Sequence, residues 1–407
     1  MVDGSQRRPE RLRIAMLCFS LGPRFGGAER QAVKLSSALV AAGHEVTLFA
    51  AGFERGAPQH ERLPGYPAEL PPLTVERLGG LAGTPAALRL RWRSFLVALT
   101  LTLWRRRRDF DLFHCHGTFD VSSLPLSLLA PWLSAPALLK HASGVEYEVL
   151  RRRTRCPRWL ARRLHRRCLG QVSNSEEVAH ALHTDLMFKR CVTRYLPNGV
   201  LIPREPAQLR GERGLELVCV ANFHPAKNQA ALIRAWATID VRRPGDRLTF
   251  AGSGQRLEAC RRLADELQLG DAVRFLGFCD DIPALLDGAD GFLFPSRHRE
   301  GMPNVILEAM AAGLPIIALD QPALRTLIED GREGLLLAGD EPTYWEAALR
   351  ALQSPARRRE FGLAARERAV RDFSIESVAE RYVSLYRDLI SLDARRTTAP
   401  RGSTKSK

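Results

Sequence analysis

Short continuous apolar runs alternate along this chain with longer stretches in which apolar residues recur every three or four positions. Residues 14–19 (IAMLCF), 46–50, 111–116 (DLFHCH) and 136–143 (PALLKHAS) are such runs in the first half, and 172–175 (VSNS) reads as a strand end. Residues 215–221 (LELVCVA), 248–251, 273–276, 291–294 (GFLF), 315–318 and 334–337 follow in the second. Their brevity, and the Gly, Pro and polar turns after them, predict strands buried on both faces. Residues 28–42, 86–108, 151–169, 176–183, 229–237 and 305–312 carry helical spacing instead. Strand and helix in alternation predict an α/β chain with parallel sheets. Residues 52–84 are rich in Pro and Gly without a clear period and are read as one long excursion.

A chain of 407 residues exceeds what one core usually fills, so two domains are expected. The divisions fall at 1–205 and 206–374, with a linker over 203–214. A last helix spans 375–392, and a polar, basic tail, 393–407, is expected to be disordered.

Charge sharpens this division. The chain holds 60 Lys and Arg against 45 Asp and Glu, a net charge of +15. Residues 1–205 hold 31 basic and 17 acidic side chains, net +14, leaving 29 and 28, net +1, for residues 206–407. An excess confined to one half points to an anionic partner of that half. Residues 151–169 add a basic amphipathic stripe, with Arg158, Arg162 and Arg166 four apart beside Leu160, Leu164 and Cys168. That pattern reads as a membrane-surface element or as a solvated face over a core. Eight cysteines show no CxxC or zinc-like spacing. They fit a reducing compartment; no signal peptide or spanning run is read.

The chemistry concentrates around residues 291–315 (GFLFPSRHREGMPNVILEAMAAGLP). A buried strand runs into a polar turn, and a helix follows that Gly313 and Pro315 stop. The turn carries Glu300 and the helix Glu308. Backbone N–H groups at the helix start suit anions and hydroxyl oxygens. Two carboxylates beside a helix start can hold a polyol next to a phosphate, and a sugar nucleotide is both. Lys227, in a short polar loop after strand 215–221, can meet a diphosphate as a point charge. His116 closes strand 111–116, where open sheets bind ligands; His114 is assigned to the opposite face and a structural role. Gly26 and Gly27 sit in a glycine-rich loop after the first strand, without the GxGxxG spacing of a dinucleotide fingerprint.

Glu300 and Glu308 with seven residues between them, the flanking EG-P-N and the continuation EAMAAGLPIIA resemble the Glu-x7-Glu motif of the retaining GT-B glycosyltransferases, most closely glycosyltransferase family 4, also called glycosyl transferases group 1. Residues 195–200 (YLPNGV) resemble the PNGV segment that closes the family's first domain, with Leu201 in place of the usual acid. The resemblance implies two Rossmann-like domains facing across a cleft, with the last helix crossing back to the N-terminal domain. It implies that the first domain takes the acceptor and the second the donor. Glu300, His116 and Lys227 are the implied catalytic residues. Glu308, Gly301, Met302, Pro303, Asn304, Asn222, Gly252, Gly26 and Gly27 are the implied donor contacts, and the backbone at 275–278 would hold the base. The family's arginine upstream of the lysine is absent, Ala221 and Asn222 occupying that region; Arg297 or Arg299 is offered as a replacement.

The expected function is retaining transfer from a nucleoside-diphosphate sugar, UDP- before GDP-. The acceptor would be a glycan or an anionic lipid-linked glycan at the cytoplasmic membrane face. No metal and no cofactor beyond the sugar nucleotide are expected, and no nucleic acid, since only Trp92, Trp104 and Trp159 accompany the arginine runs. A sugar-nucleotide epimerase of the same fold and a non-catalytic basic binding protein stay open as alternatives.

Overall fold

A computed structural model describes residues 11–20, 27–51, 59–61, 71–78, 85–117, 123–141, 168–184, 191–209, 214–239, 243–297 and 301–398. The chain forms two compact units, Met1–Pro197 with Val378–Lys407, and Asn198–Ser377. The first boundary thus precedes the expected 205/206. Asn198 is drawn into the second unit by its amide, which donates to the Met302 carbonyl (3.3 Å) and Asn304 Oδ1 (2.9 Å).

In the first unit, β1 (Arg13–Ser20), β2 (Glu45–Ala51), β3 (Gln59–Glu61), β4 (Leu73–Arg77), β5 (Leu112–His116), β6 (Ala137–His141), β7 (Gly170–Ser173) and β8 (Val192–Tyr195) build one sheet. Its order is β3-β4-β2-β1-β5-β6-β7-β8, and β3 is the antiparallel edge. Ala15, Leu17, Phe113, Cys115 and Leu139 point to one face. There they meet Phe95, Leu99 and Leu103 of α2 (Pro85–Arg105) and Leu126 and Leu129 of α3 (Ser123–Leu129). Each such buried side chain contributes about 2 kcal/mol of transfer free energy. The other face meets α1 (Gly27–Ala41) and the chain's last helix, which brings Tyr382 and Tyr386 onto His114.

Three strands depart from the expected pattern. β3 and β4 lie inside the supposed excursion, 52–84. β4 buries only Leu73 and Val75, with Thr74, Glu76 and Arg77 half-exposed, so five residues after two prolines leave no periodic signal. β8 is a half-exposed edge strand and equally quiet in sequence. The last helix spans Ile375–Thr398, overrunning the expected end at Leu392 and the start of the tail. Asp393 to Thr398 contain no Gly or Pro, and Ala394, Arg395 and Arg396 favour continuation. Residues 399–407 and most of 151–169 lie outside the described residues.

In the second unit, β9 (Glu216–Val220), β10 (Arg247–Ala251), β11 (Val273–Gly277), β12 (Gly291–Phe294), β13 (Ile316–Leu319) and β14 (Gly334–Leu337) form an all-parallel sheet ordered β11-β10-β9-β12-β13-β14. Helices cover both faces, and Trp236 and Trp345 are fully buried on one of them. The chain steps outward from β9 to β11 and returns to β9's other side with β12. The carboxyl ends of β9 and β12 therefore flank a switch point, where open α/β sheets bind ligands. The first unit repeats this at β1 and β5.

Candidate active site

At the second unit's switch point, β9 ends at Val220 and a short turn, Pro225–Lys227, follows. Asn228 then takes a left-handed conformation (φ 57°) that opens the next helix, Gln229–Thr238. The loop after β12 is tied to this turn: Arg297 N–H donates to the Ala226 carbonyl (3.0 Å), and Ser296 Oγ donates to the same oxygen (3.4 Å). The Lys227 ammonium stands 5.7 Å from the centre of the Phe294 ring. Lysine, aromatic ring and loop are thus held by the two strand ends the sheet order makes adjacent. Asn222 is exposed in the same turn, and its carbonyl accepts from Gln229 Nε2 (3.1 Å).

Arg297 does not stand as a lone cation. Its guanidinium pairs with Asp340, just after β14, and Asn228 Nδ2 donates to that carboxylate (2.9 Å). The Asp340 carboxyl is held below its ordinary range: burial raises it, and the hydrogen bonds from Asn228 and Arg297 outweigh that. Sequence reading passed over Asp340, whose partners lie 112 and 43 positions away. Its only local sign is a Gly-Asp pair at the end of an apolar run.

The helix Asn304–Ala311 starts behind Pro303 without a side-chain cap. Asn304 and Glu308 lie four apart on one half-exposed edge of it, while Ile306, Leu307, Met310 and Ala311 are buried. Gly301, Met302 and Pro303 are buried before it. Met302 and Asn304 are also joined to Asn198, whose backbone N–H meets the Met302 sulfur at 3.0 Å. The sequence quoted Asn198 within PNGV without assigning it this task. Glu300, Arg299 and Gly26 lie outside the described residues.

Gly252 follows β10 with φ 144°, and a Cβ there would sit within 3.0 Å of the Ala221 carbonyl oxygen, a separation real Cβ atoms do not reach. Close packing of the chain's own backbone accounts for glycine here. The position still adjoins the loop leading to Lys227.

In the first unit, His116 ends β5 beside the switch point and is buried. Its ring bonds the backbone of Ala28, one residue after Gly27, so the glycine-rich loop's end and the histidine meet in space. His116 Nε2 is buried without a hydrogen-bond partner among the described residues. The assignment of His114 to the opposite face is corrected. Positions two apart share a face of a strand, and the rings of His114 and His116 lie 4.7 Å apart. His114 Nδ1 shares a 2.7 Å hydrogen bond with the Tyr386 hydroxyl of the last helix, and Lys140 is buried nearby, 5.7 Å from the Tyr382 ring.

Burial pushes both histidines well below their ordinary pKa; the charge of Lys140 adds to this for each, and His116 is held down further by His114 and raised slightly by Ala28. Both rings are neutral at neutral pH. An unfolded histidine protonates near 6.5, so the unfolded chain holds more protons below that pH. Stability is therefore complete above about 6.5 and is lost as pH falls, by roughly 1 kcal/mol per pH unit for each histidine. Thermal unfolding followed from pH 7 to 5 should show a falling midpoint. His114→Gln, which keeps a partner for Tyr386 but cannot titrate, should make the decline shallower.

Seven cysteines are described, all as free thiols. Burial pushes Cys168 and Cys219 up to about 12, so neither is a nucleophile. Among the described residues no group of three or more His, Cys, Asp or Glu is placed to hold a metal, and no helix is long and apolar enough to cross a membrane.

Two family models match in succession: residues 25–202 fit Glycosyltransferase Family 4, and residues 214–354 fit Glycosyl transferases group 1. The chain belongs to glycosyltransferase family 4. Family 4 relatives match it over different lengths. The phosphatidyl-myo-inositol mannosyltransferase of Mycobacterium tuberculosis is 26% identical over 394 residues, 92% of this chain and 96% of that one. The N-acetyl-alpha-D-glucosaminyl L-malate synthase of Bacillus anthracis is 29% identical over 208 residues, 50% of this chain and 54% of that one. The chain spans about half the length of the first curated relatives it matches. Among solved structures, the sucrose-phosphate synthase of Thermosynechococcus elongatus superposes with a TM-score of 0.73 at 23% identity, over 94% of this chain and 100% of that one. This likeness carries the GT-B fold class for the two Rossmann-like units.

Proposed function

We propose that this family 4 member is a retaining glycosyltransferase that takes a sugar from a nucleoside-diphosphate sugar, UDP- before GDP-. The acceptor is a glycan or a lipid-linked, anionic glycan at the cytoplasmic face of the membrane, in polysaccharide or glycolipid biosynthesis. The observation that carries the reading is the pairing of loops at the β9/β12 switch point, which presents Lys227 beside Phe294 at the strand end whose loop leads on to the Asn304–Ala311 helix.

In this reading Lys227 meets the leaving diphosphate, and Glu308 accepts hydrogen bonds from ribose hydroxyls. Glu300 stands by the transferred sugar, with the backbone of Gly301, Met302, Pro303 and Asn304 toward sugar and phosphate oxygens. Asn222, Gly252, Gly26 and Gly27 complete the donor contacts. The neutral, unpartnered Nε2 of His116 suits a sugar hydroxyl. Neither glutamate is a nucleophile. The bond from the anomeric carbon to the diphosphate breaks as the acceptor oxygen bonds that carbon on the same face. The acceptor's proton passes to the leaving phosphate oxygen. Rate comes from positioning and from stabilising the leaving group's charge, and no metal is assigned.

The basic first half and the 26%-identical relative whose name records phosphatidyl-myo-inositol support a lipid-linked acceptor. The test is a thermal-shift and turnover screen against UDP- and GDP-sugars with EDTA present. One donor should raise the melting temperature and be consumed in EDTA, and Glu308→Ala should lose the shift. Isomerisation of the donor without transfer would favour the epimerase. Silence toward every sugar nucleotide would favour a binding protein.

A further inference from the structure

Six of the thirteen large apolar side chains that stand exposed among the described residues fall between positions 97 and 132. They share one surface. α2 and α3 pack side by side on the same face of the first sheet, turning Phe95, Leu99, Leu103, Leu126 and Leu129 into the core. Their opposite stripes look away from the sheet. On α2 these are Val97 (58% exposed), Leu101 (47%) and Trp104 (42%), spaced four and three apart. On α3 they are Leu124 and Leu128, four apart, with Trp132 (55%) just beyond. The outer stripe of a water-facing helix is ordinarily polar, and a contiguous exposed apolar surface marks an interaction site.

The charge around the patch says what it meets. Four consecutive arginines, Arg105, Arg106, Arg107 and Arg108, close α2 and the turn after it, before Asp109. Arg105 and Arg108 are exposed. The Arg107 guanidinium lies 4.4 Å from the centre of the Trp104 ring. Arg106 is engaged by Glu76 (2.7 Å) and Asp109 (2.9 Å). An exposed apolar stripe that runs into a cluster of arginines, with a tryptophan and an arginine stacked at its margin, suits a helix lying against a bilayer interface. A second copy docked on this face would bring a second set of the same arginines to the contact. An anionic lipid surface neutralises them instead.

We propose that the outer face of α2 and α3, centred on Val97, Leu101, Trp104 and Leu124, docks this protein on an anionic membrane surface. The proposal deepens the lipid-linked acceptor reading and rests on it. It places the membrane contact on α2 and α3 rather than on the basic stripe at 151–169.

The experiment is co-sedimentation of the full chain with vesicles of phosphatidylcholine alone and of phosphatidylcholine with phosphatidylglycerol, at low and high salt. The wild type should bind the phosphatidylglycerol vesicles and release them as salt rises. Leu101→Ser with Trp104→Ser should weaken that binding at least about tenfold, while the sugar-nucleotide melting shift is unchanged. Val97→Asp should act in the same direction, with its circular dichroism checked against the wild type. Wild-type protein that ignores anionic vesicles, or a double variant that binds them as well as the wild type, overturns the proposal. So does a wild-type dimer that the double variant dissolves without any vesicle binding. Membrane binding lost in the variant, together with transfer only to water-soluble acceptors, would keep the docking face and sink the lipid-linked reading. Intact vesicle binding in the variant with transfer to a lipid-linked acceptor would do the reverse.

Discussion

Lys227→Ala is expected to lower turnover of the sugar nucleotide by on the order of 10²–10³-fold, the loss seen when one donor to a developing negative charge is removed. The fold should survive. Lys227 is half-exposed at the end of a turn whose shape is set by backbone bonds from Lys227 N–H to the His224 carbonyl (2.9 Å) and from Asn228 N–H to the Pro225 carbonyl (3.3 Å). The effect should fall mainly on kcat, because the leaving diphosphate carries more negative charge at the transition state than in the bound donor. Lys227→Arg should restore part of the rate, since a guanidinium keeps the charge but not the point geometry. Steady-state kinetics with the matched donor and melting curves in its absence check both halves. Near-wild-type kcat in Lys227→Ala would remove the lysine from the chemistry.

Gly252→Ala should strongly destabilise the second unit, costing about 3 kcal/mol or more. Two independent causes converge. The backbone at φ 144° is one that L side chains rarely adopt, and the new methyl would run into the Ala221 carbonyl, whose own N–H is fixed to the Ala251 carbonyl (3.0 Å). Neither neighbour is the free end of a flexible side chain, so relief must come from moving β9 or β10. Denaturant unfolding should show a lower midpoint for the second unit. Gly270→Ala is the control, because its φ is also positive (47°) but a Cβ there meets nothing; it should cost far less. Equal stability of Gly252→Ala and wild type would mean that Ala221 yields easily.

The buried parallel strands were legible because both faces of each are covered, which writes them as unbroken apolar runs such as 215–221 and 291–294. β4 and β8 were not, because their side chains are only partly buried and each is too short to show alternation. The positions of the loops after β5, β9 and β12 were legible, since the carboxyl ends of those strands are where open sheets place ligands. Which atoms occupy those loops was not legible. Asp340 and Asn198 act across 112 and 104 positions, respectively, and no local pattern announces such a partner. His114 shows the opposite failure: the strand period was available and was misapplied, and the Tyr386 hydroxyl that meets it lies 272 positions away. Arg297, offered in place of the missing arginine, is paired with Asp340, a contact no local pattern announces.

The proposed reaction breaks the bond between a sugar's anomeric carbon and a nucleoside diphosphate with the configuration retained. The most direct measurement is proton and phosphorus NMR of the purified protein with the donor identified by thermal shift, recorded before the released sugar can mutarotate. The nucleoside diphosphate should appear together with a sugar, free or transferred, in the donor's own anomeric configuration. Release with the inverted anomer, or an intact donor spectrum at every time point with and without acceptor, would contradict it.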